Sequence, residues 1–235
     1  MTDGSRLADN LEHIRARIVE AARRSGRMAA DVRLVAVTKY VDVDVTRELI
    51  AAGCRALGES RPQELWRKAQ AFVNESLEWH LIGHLQRNKV ARTLPLIRLL
   101  HAGDSLRLIE AVNEEAARTT NEPVPLLLEV NVSGDPSKHG FQPDELEPLG
   151  ERLAALARVR IDGLMCMAAR EGDLDRTRRD FERLRQLRDQ LRAVWPGQLA
   201  LDELSMGMSG DFEVAIEEGA TIVRVGSSLF EGVVP

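Results

Sequence analysis

The chain is poor in cysteine, has no excess of basic residues and contains no long apolar run, and each absence removes a class of protein. The two cysteines, Cys54 and Cys166, stand far apart and outside any C-x-x-C pair, so neither a disulfide framework nor a structural zinc site is expected. They read as buried, reduced thiols of a cytoplasmic protein, and no metal site is expected. Lys and Arg number 32 against 37 Asp and Glu, a net charge of −5. A nucleic-acid-binding role would call for a basic surplus or stripe, which is missing. No segment approaches the roughly 20 consecutive apolar residues that span a bilayer. The N-terminus, MTDGSRLADNLEHIRARI, is charged and amphipathic, without the apolar centre of a signal peptide. No linker, low-complexity stretch or repeat interrupts the chain.

What is there is the balance of a globular domain: 235 residues, 44% hydrophobic and 29% charged, enough to bury a full core. Leu7, Leu11, Ile14 and Ile18 fall at helical spacing and predict a leading helix, broken at Ser25-Gly26. Val32–Val37 is a short β-branched run that predicts a buried strand ending at Thr38-Lys39-Tyr40. From there the pattern alternates. Helices are expected at about 43–52, 61–74, 85–93, 105–119, 143–157, 174–194 and 211–218. Strands are expected at 54–57, 78–82, 96–101, 124–132, 159–165, 203–206 and 221–225. About eight strands separated by helices predict a parallel sheet. At this length a closed (β/α)8 barrel of the TIM type, with an extra N-terminal helix and spanning 1–235 as one domain, is favoured over an open doubly wound sheet.

Ligands of such a barrel bind where the strands end. Lys39 ends the first strand. Partial desolvation there would free its amine to attack an aldehyde, although a surface lysine at a strand end would look the same. The last strand ends in Val223-Arg224-Val225-Gly226-Ser227-Ser228. Gly226 admits close backbone approach, and Ser227 and Ser228 offer hydroxyl and N–H donors. The seventh unit gives Ser205-Met206-Gly207-Met208-Ser209, a small-residue loop that suits a phosphate; Ser209 could equally cap the helix beginning near Asp211. His84 lies past the third strand and could face the ligand, whereas His80 alternates with apolar neighbours and reads as a core histidine. Asn131–Phe141 is a polar rim loop that could cover the mouth or merely connect. Two phosphate-type loops on neighbouring strands, with a lysine at the same mouth, point to a phosphorylated aldehyde.

Together LVAVTKY, LGES followed by PQEL, WHLIGHLQRNK, NVSGDPSKHGF, GLMCM and LSMGMSGDFEVAIEEGATIVRVGSSLF, running in order from residue 34 to residue 230, resemble the pyridoxal phosphate homeostasis proteins, relatives of the N-terminal barrel of alanine racemase. The resemblance implies a barrel that holds pyridoxal 5'-phosphate on Lys39 as a Schiff base. It places the phosphate against Ser205, Gly226 and Ser227 and the backbone of Met206 and Gly207, with Arg224 near the pyridine nitrogen. The family commonly carries an asparagine where this chain has Ser60, in Gly58-Glu59-Ser60, so any contact of that asparagine is not carried over.

Three functions follow from this reading: a carrier that supplies the cofactor to apo-enzymes and takes part in vitamin B6 and amino-acid homeostasis, a racemase-like enzyme, or a cofactor-free aldolase using Lys39. Racemisation needs a proton donor on each side of the cofactor plane. The partner-subunit domain that supplies a tyrosine in alanine racemase is not expected here, which also favours a monomer. The single tyrosine, Tyr40, is expected to point away from Lys39 by strand alternation. Arg224, always protonated, would leave the pyridine nitrogen unprotonated and the ring a weak electron sink. The carrier is therefore favoured.

Overall fold

The alternation resolves into eight parallel strands: β1 (Arg33–Val37), β2 (Ala56–Glu59), β3 (Glu78–Leu81), β4 (Leu99–Gly103), β5 (Val124–Glu129), β6 (Val159–Met165), β7 (Glu203–Ser205) and β8 (Ile222–Val225). Each pairs with the next, and β8 returns to β1 with Val35 opposite Arg224, closing the barrel. The structure is a computed structural model describing residues 3–135, 138–168, 173–197 and 199–233.

The helices are α1 (Asp3–Arg24), α2 (Val43–Ala51), α3 (Pro62–Ala71), α4 (Val90–Thr93), α5 (Leu106–Thr119), α6 (Pro143–Leu146), α7 (Gly150–Ala154), α8 (Leu174–Val194) and α9 (Phe212–Glu217). In α1 the expected apolar face is the buried one: Leu7, Leu11, Ile14 and Ile18 pack into the core, and the helix lies against α2 and α9. Arg17 fixes it there through a two-pronged ion pair with Glu213 of α9, at 3.0 and 2.8 Å. Asp42 starts α2 by accepting from the N–H groups of Asp44 and Val45.

Two helices are shorter than their periodicity predicts. The helix expected at 85–93 ends where expected but begins late, as a 3-10 turn at Arg87–Lys89 followed by one turn of α4; a second 3-10 turn at Leu94–Leu96, holding Pro95, then delays the next strand to Leu99. The helix expected from Pro143 to about 157 is split into α6, a 3-10 turn at Glu147–Leu149 and α7, since Pro148 withdraws one N–H from the ladder. The strand expected to reach Val132 stops at Glu129, with Val130 adding a single bridge to Phe141.

Strand alternation sorts the sheet into two environments. Val223, Val225, Ala36 and Leu57 face outward and belong to the large core between strands and helices. Val35, Leu99, Leu127, Met165 and Ile222 form a small apolar cluster inside the barrel. Beside it the other inward positions are polar: His80, His101, Ser205, Arg224 and Glu129 are all buried, with Arg224 opposite Val35 and Ser205 opposite Ile222. A parallel barrel is expected to fill its interior with branched apolar residues, so this polar filling is a departure that a binding site would explain.

Candidate functional site

A cavity of about 460 Å³ opens at the ends of β1, β2, β3 and β8, bordered by Lys39, Tyr40, Ser60, Gly83, Ser209, Arg224, Gly226 and Ser227. A larger hollow of about 900 Å³ lies beside it, sharing Tyr40 and Ser227. Its only charged lining residues are Asp42 and Glu231, so it has no cation to offer an anion. The smaller cavity is lined by the two cations Lys39 and Arg224.

Lys39 and Tyr40 follow β1 in a turn closed by the Val41 N–H on the Thr38 carbonyl at 3.1 Å. The turn corrects the expectation for Tyr40. Alternation stops with the strand, and the Lys39 Nζ stands 4.8 Å from the centre of the Tyr40 ring. The two side chains therefore share one side of the backbone, and both are exposed. Beneath Lys39, Thr38 and Glu59 are locked by Lys68, which reaches in from α3. The Lys68 ammonium donates to the Thr38 carbonyl and to Glu59 Oε1, each at 2.6 Å, and the Thr38 hydroxyl donates to the same Oε1 at 2.7 Å. All three side chains are essentially inaccessible. The triad ties the end of β1 to the end of β2, and so Lys39 to Ser60. Gly83 presses on the same corner: a Cβ there would lie 2.4 Å from the Ser60 carbonyl oxygen. Lys68 gives no signal in the sequence, where it is one more polar residue on an amphipathic helix.

On the opposite wall the backbone N–H groups of Gly226 and Ser228 converge on one oxygen, the Ser209 hydroxyl, at 3.2 and 3.3 Å. Ser209 thus serves the loop after β8 and does not cap α9, whose N-cap position is Asp211. Gly207 makes the preceding turn at φ +90°, with its Cβ position blocked by Ala215. Met206 and Gly207 do not border the cavity; the Met206 N–H donates to Ile222 and the Gly207 carbonyl accepts from the Arg224 N–H. They form its supporting layer.

Ser205 also lies one layer below, in a hydrogen-bonded chain that runs down the barrel. Arg224 donates to the Ser205 hydroxyl at 2.5 Å and to the Cys166 carbonyl at 2.8 Å. Ser205 contacts His101 Nδ1 at 2.8 Å, and His101 Nε2 lies 2.9 Å from His80 Nδ1. A guanidinium only donates, so the Ser205 hydroxyl accepts from Arg224, and the tautomers of His101 and His80 set which way the remaining two hydrogen bonds run. The far end of the chain is His80 Nε2. That atom is buried without a partner, and the nearest carboxylate, Glu78, is 3.9 Å away. Burial holds both rings neutral, lowering His80 to about 3 and His101 well below the usual imidazole range. The core histidine expected at 80 is thus half satisfied, and its pairing with His101 was not visible in the sequence. Both cysteines are free and buried; burial raises Cys54 to about 11 and Cys166 to about 12.

Glu129 ends β5 inside the same mouth. Burial, then the nearby Asp104 charge, raises its carboxyl to about 7. Its folded value lies above the usual 4.5, so its contribution to stability is full below about 4.5 and lost as pH rises toward 7. The two histidines act oppositely: stability falls as pH drops from 6.5 toward their depressed values. Glu129→Gln removes the opposing slope, so the variant is expected to lose stability more steeply than the parent between pH 7 and pH 5. Urea midpoints at pH 5, 6 and 7 measure this, and equal slopes would mean that Glu129 is already ionised at pH 5.

His84 is exposed and outside the cavity lining; its Nδ1 contacts Asp104 Oδ2 at 2.5 Å, and its ring stacks on His139. In the rim loop, Lys138 donates to the carbonyls of Met167 and Ala168, joining the loops after β5 and β6; Pro136 and Ser137 lie outside the described residues. Of the residues singled out from sequence, the cavity thus brings together Lys39, Ser60, Arg224, Gly226 and Ser227. Ser205, Met206 and Gly207 lie beneath, and His84 lies to one side.

The fold and the mouth define a closed barrel of the alanine racemase type, with a lysine and an N–H-lined loop at the strand ends. The family described as alanine racemase, N-terminal domain, matches residues 9–233. The chain belongs to that family and, within it, to the pyridoxal phosphate homeostasis proteins. It is 40% identical to the pyridoxal phosphate homeostasis protein of Aquifex aeolicus over 222 residues, which is 94% of this chain and 96% of that one. PipY of Synechococcus elongatus, solved with pyridoxal phosphate bound, superposes with a TM-score of 0.85 at 33% identity, covering 95% of this chain and 99% of PipY. Alanine racemase of Clostridium difficile shares the fold, with a TM-score of 0.74 at 17% identity over 96% of this chain and 56% of the racemase. No helix among the described residues is long and apolar enough to cross a membrane.

Proposed function

We propose that this chain, as a single barrel domain, holds pyridoxal 5'-phosphate at the strand ends and supplies it to apo-enzymes, as part of vitamin B6 and amino-acid homeostasis, with no strong catalysis of its own. The observation that carries this reading is the cavity bordered at once by the Lys39 amine, the buried Arg224 and the loop where two N–H groups converge on a single oxygen. That donor set fits the group: an amine for an aldehyde, the Gly226 and Ser228 N–H groups, which meet at the Ser209 hydroxyl and would turn from it to a phosphate oxygen, and a fixed cation for a ring nitrogen. When bound, pyridoxal phosphate supplies an aldehyde that condenses with amines and a ring that draws electrons from them.

Lys39 would hold the aldehyde carbon covalently, as a Schiff base. Gly226, Ser227, Ser228 and Ser209 would bind the phosphate, and Met206 and Gly207 would keep their loop in place. Ser205 would act through Arg224. Ser60 would border the ring, and His84 would contribute from the rim. Arg224, held by Ser205 and Cys166, would donate to the ring nitrogen and keep it without a proton, which weakens the electron sink that racemisation or transamination needs. The homeostasis names of the relatives agree with a carrier.

The racemase-like reading would draw on Tyr40, which stands beside Lys39; racemisation needs its second group on the opposite side of the cofactor plane, and Tyr40 shares Lys39's side of the backbone. The two readings part in one set of assays. Cofactor transfer to an apo-enzyme is measured beside racemase, lyase and transaminase turnover with a panel of amino acids. Transfer with no sustained turnover is expected; robust turnover with any amino acid would sink the carrier, and a protein that takes up no pyridoxal phosphate would sink both.

A further inference from the structure

We propose that His84, Asp104 and His139 form a binding site for a divalent transition-metal ion of the kind that imidazole favours, such as Zn²⁺, Co²⁺ or Ni²⁺, on the rim beside the cofactor cavity. The three residues come from the loops after β3, β4 and β5, and each offers one ligand atom within 4.8 Å of the others. Asp104 is prepared for the role. Its side chain is only 6% exposed, and the Ser105 hydroxyl donates to its Oδ1 at 3.1 Å, which leaves Oδ2 aimed at His84 Nδ1. A partner that orients a ligating carboxylate in this way is what supports metal sites generally. Ser105 sits at the N-cap position of α5, yet its hydroxyl makes no cap bond, so this contact takes precedence over the helix end.

The two imidazoles face each other with centroids 5.3 Å apart and planes 20° from parallel. That is wider than a close ring stack, and both rings are exposed, so rotation of His139 meets little packing while Asp104 holds His84. Two imidazoles and one carboxylate suit a borderline ion, and bonds of about 2.0–2.2 Å set neighbouring ligand atoms roughly 3.3 Å apart in a tetrahedron. The cluster reaches this by parting His84 from Asp104 by less than about an ångström and drawing His139 inward through side-chain rotation. Three protein ligands leave the fourth position open to water or to a bound anion. The remaining histidines do not compete. His80 and His101 are buried and engaged with each other, and His13 stands alone on α1.

The test is a titration with Co²⁺, followed by visible absorbance, and with Zn²⁺, followed by calorimetry. Pyridoxal phosphate itself coordinates divalent ions, so the chain is titrated with and without added cofactor, and the equivalent present in both is counted. One saturable equivalent is expected. Asp104→Asn and His139→Ala should each weaken it at least about tenfold, His84→Ala/His139→Ala should abolish it, and His13→Ala should leave it unchanged. Both rim histidines are exposed, so thermal unfolding of the double variant should match the parent and a loss of binding cannot be a loss of fold. Absence of a saturable equivalent, or its survival in the double variant, overturns the proposal.

Discussion

Lys39→Ala is expected to come out of purification colourless while the parent protein is yellow, and to retain no pyridoxal phosphate through gel filtration. The side chain is exposed and lies against the Tyr40 ring, so its removal should change stability by no more than about 0.5 kcal/mol. The loss would then belong to the site alone. The chain has four lysines, Lys39, Lys68, Lys89 and Lys138, which makes the attachment point simple to map by borohydride reduction and peptide mass. Lys68 is spent on Glu59 and Thr38, and Lys138 donates to two carbonyls. Reduced cofactor found on Lys89 or Lys138 would remove Lys39 as the anchor, and a yellow Lys39→Ala protein would do the same.

The second large effect is on the support beneath that lysine. Lys68→Met strips the partner from Glu59, whose side chain is wholly buried and whose Oε2 already lacks a hydrogen bond. Breaking one side of a buried pair typically costs about 3–5 kcal/mol, because a charge is left uncompensated in a poorly polarisable interior. Lys68→Met/Glu59→Gln removes both charges and should recover part of the loss. Urea unfolding of the parent, the two single variants and the double variant closes the cycle. A Lys68→Met protein within about 1 kcal/mol of the parent would show that the pair carries little of the fold. If the triad also sets the position of Lys39, a folded double variant should hold cofactor more weakly than the parent.

Much of this architecture is legible in the sequence. The leading helix is carried by Leu7, Leu11, Ile14 and Ile18, and the last strand by Ile222–Val225, because both signals are local periodicities written by which face meets the core. The same local reading places Lys39, Arg224, Gly226 and Ser227 at strand ends, where a barrel binds its ligands. It misjudges Tyr40, since alternation was extended three residues past the strand, which ends at Val37, into a turn. It starts one helix too early, before Val90, and overextends another that Pro148 interrupts, although that proline is in plain view.

Other features have no local signal. Lys68 looks like a solvated helix lysine until α3 docks and carries it to Glu59. His80, His101, Ser205 and Arg224 come from β3, β4, β7 and β8, and only barrel closure brings them into one hydrogen-bonded chain. His84, Asp104 and His139 are likewise separated along the chain and meet only because three successive loops crowd one rim. Lys39 belongs to both accounts. The sequence by itself determined that a lysine ends the first strand of an alternating β/α chain, because strand and helix periods are set by neighbours a few residues apart. The tertiary structure alone decided what surrounds it: Tyr40 beside it, a buried ion pair below it and the Gly226–Ser228 loop bordering the same cavity. Those contacts join residues far apart in the chain, and their geometry exists only once eight strands have closed on one another.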